Sequence, residues 1–161
     1  MNHQVLRQIL VETTGELFAA YGVSTDVVGA AAMDNQTLCG VLGFTGDAIC
    51  GSVVIAASPE AVAASNPIEG APATQWLSEL TNQIVGRFKN SLVRRGVDIW
   101  ISIPVVLNAT RLVPVVQPAV EPIYMHVGGA RFTIWLEVEG DVTLNPPIDN
   151  GMLSEGEALL F

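Results

Sequence analysis

Glu79 and Asn82 stand three residues apart in the only long helix-periodic stretch of the chain. That spacing puts an acid and an amide on one helical face, where both can address the same target. An amide donates and accepts hydrogen bonds at once, and a carboxylate grips cations. Together they can position a water or hold a partner without a metal or a nucleophile of their own. Pro104 follows Asn82 after twenty-one intervening residues. The rest of the chain lacks the inventory of an independent enzyme, with no phosphate-cradling glycine loop, Cys/His dyad or metal cluster.

The helix that must carry this pair begins near Pro72 to Thr74 and ends at Arg95, with Gly96 just beyond it. At about 100° per residue, Leu77, Leu80, Ile84, Phe88 and Leu92 form an apolar stripe that should face a core. Gln75, Glu79, Asn82 and Gly86 fall on the opposite side, within roughly 60° of one another. A mid-helix glycine costs about 1 kcal/mol relative to alanine, so Gly86 invites a reason. On this face the missing side chain lets another protein approach the helix backbone. The plainer reading is that Glu and Asn are common on solvated helices, and E-x-x-N arises by chance in many proteins.

Composition narrows the partners. The chain has 161 residues, enough for one ordinary domain with a sizeable core. Half of them are hydrophobic, only 14% are charged, and mean hydropathy is +0.44. Two explanations fit that excess: a sheet-rich core of Val, Ile and Ala, or an oligomer interface, most simply a homodimer. A formal net charge of −9 makes nucleic acid and anionic membranes poor partners. Arg87, Lys89, Arg94 and Arg95 cluster in the second half of the long helix, where cations suit the C-terminal dipole better than they suggest an anion site. Cys39 and Cys50 lie in strand-like apolar segments and are expected to be buried thiols rather than a bridge or ligands. His3 and His126 are isolated, so zinc is not expected. With no signal pattern at Met1 to Arg7 and no apolar run long enough to span a bilayer, the expected location is the cytoplasm.

The remaining elements follow from periodicity. Val5, Leu6, Ile9, Leu10, Leu17 and Phe18 predict a first helix over about residues 3–21, ended by Gly22. Strands are expected at 27–34, 38–45 and 49–57, with a tight turn at Gly46-Asp47. Ser58-Pro59-Glu60 then opens a short helix ending near Ser65. After the long helix come strands at 98–107, around 118–127 and at 131–139, the last two joined by Gly128-Gly129. Glu137 and Glu139 alternate with apolar residues, as in a strand with one face in water. The core should span about residues 4–140, and 141–161 reads as a tail with little sign of packing. Helix plus three strands thus occurs twice. That implies a duplicated α+β fold of two layers, with long helices on a largely antiparallel sheet.

The stretch Glu79-Leu80-Thr81-Asn82-Gln83-Ile84-Val85-Gly86 resembles the signature helix of the CheC/CheX/FliY phosphatases of bacterial chemotaxis. In that family E-x-x-N is followed by a strand proline, which Ser102-Ile103-Pro104-Val105 supplies here. The segments 40–47 and 51–55 resemble the family's first hairpin. The first helix offers Glu12-Thr13-Thr14-Gly15, without the amide of a second site, which places the chain nearest CheX. Gln75 stands where the family often has Asp or Ser. The resemblance implies a phosphatase acting on the aspartyl phosphate of a CheY-like response regulator. It implies catalytic roles for Glu79 and Asn82, partner contacts by Gln75, Gln83 and Gly86, and no cofactor beyond the Mg²⁺ of the receiver. Two other readings remain: a module that binds a receiver without catalysis, and a structural relative of flagellar switch proteins, which should lack the E-x-x-N pair.

Overall fold

In the computed structural model the described residues are 3–30 and 36–148, and among them the chain forms three helices and seven strands. The first helix, α1 (His3–Ala20), buries Leu6, Ile9, Leu10, Leu17 and Phe18, while Val5 stays exposed. It ends where Gly22 takes a φ of 74° and the Val23 N–H returns to the Phe18 carbonyl at 2.9 Å. Three strands follow, β1 (Thr25–Val28), β2 (Leu38–Thr45) and β3 (Ile49–Ala57). The β2–β3 turn is closed by Gly46 N–H donating to the Ile49 carbonyl at 2.8 Å. Strand β1 starts two residues before the expected 27 and ends at Val28, so that Gly29 and Ala30 fall outside it, and residues 31–34 of that expectation lie outside the described residues.

Ser58 caps the short helix α2 (Pro59–Ser65) by accepting from the Ala61 N–H, and Pro59 fills its first position. The long helix α3 (Ala73–Val93) closes as expected at Gly96, with φ 82° and Val97 N–H on the Leu92 carbonyl at 3.0 Å. Beyond it lie β4 (Trp100–Ile101), β5 (Val105–Asn108), β6 (Ile123–Val127) and β7 (Ala130–Gly140). Gly128 and Gly129, both at positive φ, make the two-residue turn between β6 and β7.

Two expected strands after α3 are also shorter than anticipated. Strand 98–107 is interrupted at residues 102–104. Val41 of β2 faces Val105, and Phe44 faces Ile101. Two residues of β2, Leu42 and Gly43, therefore oppose three, Ser102, Ile103 and Pro104. This is a one-residue bulge on an edge, where a proline lacking its N–H is tolerated. The segment expected around 118–127 is a strand only from Ile123, because Pro118 and Pro122 cannot donate to a ladder.

Every pairing in the sheet is antiparallel, and the order is β1-β6-β7-β3-β2-β4, with β5 also on β2. Exchange the first-half strands (β1, β2, β3) for their second-half counterparts (β4 with β5, β6, β7) and this order maps onto its own reverse. The duplication inferred from element order is thus a pseudo-two-fold axis between β3 and β7. One sheet face packs on the helices through Leu38, Leu42, Phe44, Val53, Ile55, Phe132 and Ile134, which meet Leu10, Phe18, Leu77, Leu80, Ile84 and Phe88 in one core. Residues 142–148 depart from the expected loose tail. Val142 is buried, Asn145 N–H donates to the Arg95 carbonyl at 3.1 Å, and Ile148 N–H donates to the Arg94 carbonyl at 2.9 Å. Carbonyls just past a helix end need donors, and this segment supplies them. Residues 149–161 lie outside the described residues.

Candidate functional site

The five stripe residues of α3 are all fully buried, and Trp76, Thr81, Val85 and Ser91 widen the buried sector. A sheet-facing residue sits within the motif itself: Thr81, between Glu79 and Asn82, is packed onto β2. Its hydroxyl donates back to the Leu77 carbonyl at 2.7 Å. A Cβ on Gly40 would come within 2.1 Å of that hydroxyl oxygen. Only a strand position without a side chain lets the helix settle so close. Thr81 in its slot fixes the rotation of α3, and Glu79 and Asn82, on either side of it, turn away from the sheet.

The sequence gives α3 no side-chain cap, and Pro72 stands at its N-terminus. Its first turn is held by packing instead. The Trp76 indole N–H donates to Ser65 Oγ of α2 at 2.9 Å, and the Tyr21 ring meets Trp76 edge-on, with centroids 5.7 Å apart.

On the outward face Gln75 and Glu79 are exposed, while Asn82, Gln83 and Gly86 are half-buried. Gln83 Nε2 donates to Glu79 Oε1 at 2.7 Å, and Gln83 Oε1 accepts from the Tyr21 hydroxyl. Glu79 has no cationic partner among the described residues, so its charge is offered outward. The Asn82 amide makes no hydrogen bond to another described residue and is likewise available. A Cβ on Gly86 would meet nothing within 4 Å. Packing within this chain therefore does not require the glycine.

Tyr21, Gly40, Thr81 and Trp76 were not singled out from sequence as parts of the site. Gly40 carried a usable signal, being a glycine inside a strand pattern. Tyr21 carried none, since its partner is 62 residues away. Pro104 lies in the bulge at the sheet edge, a structural position. Of the two cysteines, Cys39 is buried as expected, and burial raises its thiol from 9.0 to about 11. Cys50 is exposed, against expectation: it alternates with the core residue Ile49 and so projects from the sheet face opposite the helices. Among the described residues no three His, Cys, Asp or Glu side chains gather as metal ligands, and no helix is long and apolar enough to cross a membrane.

Comparison with known proteins follows the same lines. The family model described as "Chemotaxis phosphatase CheX" matches residues 38–125, more than half of the chain. No curated protein sequence matches. Among solved structures, the chemotaxis protein CheX from Vibrio vulnificus superposes with a TM-score of 0.69 at 16% identity, covering 83% of this chain and 96% of that one. A CheC-like superfamily protein from Shewanella sp. PV-4 gives 0.67 at 17% identity, over 87% and 100% of the two chains. The CheX–CheY–BeF3–Mg²⁺ complex from Borrelia burgdorferi gives 0.60 at 13% identity, over 82% and 96%. At these identities the superpositions establish the CheC-like fold, and the family match adds membership: the chain belongs to the CheX family of chemotaxis phosphatases.

Proposed function

We propose that this protein hydrolyses the aspartyl phosphate of a CheY-like response regulator. The observation that carries the reading is an acid and an amide turned outward on one rigid helix face, neither paired with a charge among the described residues. The complex of a structural relative with CheY, BeF3 and Mg²⁺ agrees with a receiver as the partner. The motif is half of an active site, and the receiver contributes the phosphoryl group, its Mg²⁺ and a lysine.

Phosphoryl transfer of this kind needs positioning and charge stabilisation more than covalent chemistry from the protein. Asn82 holds the attacking water in line with the phosphorus by donating to and accepting from it. The water oxygen bonds to phosphorus, the bond to the aspartyl oxygen breaks, and inorganic phosphate leaves. A neutral amide suits the task because it does not repel the phosphoryl oxygens. Glu79 pairs with the receiver's lysine and sets the docking register. Gln75 and Gly86 lie on the same face, Gly86 leaving room for the receiver's surface.

The test is phosphate release from a phosphorylated receiver. Wild-type protein is expected to exceed spontaneous decay, and Asn82→Ala to lower the rate by about 10²-fold with an unchanged melting curve. Equal rates for the two would remove Asn82 from catalysis. Saturable binding without release would leave a binding module in place of a phosphatase.

We further propose a homodimer through the β4–β5 edge. Trp100, Val105, Leu107 and the bulge residue Ile103 are all exposed there, in the place where the apolar excess of the composition demands cover.

A further inference from the structure

We infer that Tyr21 is a positioning residue for the docking carboxylate, holding Glu79 through Gln83 in the orientation that meets the receiver. The inference rests on the reading that Glu79 docks a cationic group of the partner. Tyr21 lies in the turn after α1, and Gln83 and Glu79 lie one turn apart on α3. The Tyr21 hydroxyl donates to Gln83 Oε1, and Gln83 Nε2 donates to Glu79 Oε1 at 2.7 Å. A glutamine amide has two unlike ends. With its oxygen facing the hydroxyl, its NH₂ must face the carboxylate. The reverse orientation would set the amide oxygen against an anion. The carboxylate, which only accepts, fixes the end of Gln83 that it meets, and the Tyr21 hydroxyl completes the chain by donating to the amide oxygen left on the other side, which holds Gln83 in place.

The relay is anchored at depth. Tyr21 is itself held edge-on against the buried Trp76 at an interplanar angle of 76°, and Trp76 is fixed by its bond to buried Ser65. At the outer end Glu79 is exposed, where an unheld side chain would sample several rotamers and lose them on binding. Ordering it beforehand reduces that loss. Only one of its carboxylate oxygens accepts from Gln83, so the other stays open to a cation. Gln83 therefore contributes to docking from within the chain, both ends of its amide being engaged. Asn82 takes no part in the relay, so the relay governs how well the receiver docks and leaves the chemical step alone.

Tyr21→Phe tests this, because it keeps the ring against Trp76 and deletes only the hydroxyl. The KM for the phosphorylated receiver should rise about three- to tenfold, in keeping with the loss of one hydrogen bond, with kcat and melting temperature held. Gln83→Ala should raise KM similarly, and adding Tyr21→Phe to it should cost nothing more. In the receiver-free protein, the Gln83 side-chain amide resonances should move toward those of free glutamine in Tyr21→Phe. Unmoved resonances would overturn the relay whether or not the protein is a phosphatase. Loosened resonances with unchanged KM would overturn its role in docking. If wild type neither binds nor dephosphorylates a receiver, the proposed function fails, and the docking role of Tyr21 fails with it.

Discussion

Glu79 has no cationic partner among the described residues and stands exposed, and both features set how much it can contribute. A surface ion pair is worth little, and a partly desolvated one at a protein interface is worth more. Glu79→Ala should therefore weaken binding of the phosphorylated receiver by about 1–2 kcal/mol, roughly five- to thirtyfold. Titrations at rising salt would show wild-type affinity falling faster than that of the variant, because screening acts on the pair that the variant lacks; parallel curves would count against the ion pair. The cysteines make a separate prediction. In the native protein a thiol reagent at pH 8 should label exposed Cys50 and spare Cys39, whose thiol stays protonated up to about pH 11. Between 9.0 and about 11 the folded state keeps a proton on Cys39 that the unfolded state releases. The stability contributed by the buried thiol is present below that window and is lost as pH rises through it, which denaturant titrations at stepped pH would follow. At this scale the sequence was legible where residue type and spacing share one helix, as Glu79 and Asn82 do. It was silent on Tyr21, whose role depends on a fold that brings the end of α1 to the middle of α3.

The elements were legible in proportion to how locally they are determined. The Ser58-Pro59 cap, the Gly22 and Gly96 stops and the Gly128-Gly129 turn all rest on backbone preferences of a few residues, and all stand in the structure. The interruption of the strand at residues 102–104 depends on register against β2, which no local pattern encodes. Two glycines serve opposite ends here. Gly40 is required by the chain's own packing. Gly40→Ala should cost about 1–3 kcal/mol, because its methyl would displace Thr81 from a slot with no spare room, and a lowered denaturation midpoint would report it. Gly86 is free of such demands. Gly86→Ala should stabilise the helix by about 0.5–1 kcal/mol and yet weaken receiver binding. A variant that is more stable and binds equally well would remove Gly86 from the interface.

For the whole molecule, composition called for either a large core or a covered surface, and the structure contains the first while leaving several apolar side chains exposed, four of them (Trp100, Ile103, Val105 and Leu107) along the β4–β5 edge. Val105→Asp on that edge should shift the sedimentation equilibrium of the wild type toward monomer, and a wild type that is monomeric at all concentrations would end the dimer proposal. Element order exposed the duplication, but strand order could not be read from it, since antiparallel neighbours need not be consecutive in sequence. That order has a bearing on how the chain is made. Of its strand pairings, β1–β6, β3–β7 and the contacts of β2 with β4 and β5 all join one half of the chain to the other. Neither repeat owns a complete sheet, so the ancestral unit implied by the duplication would have needed a second copy of itself to fold. A cut in the exposed 66–72 loop should give two fragments that are unstructured apart and regain the native fold when mixed.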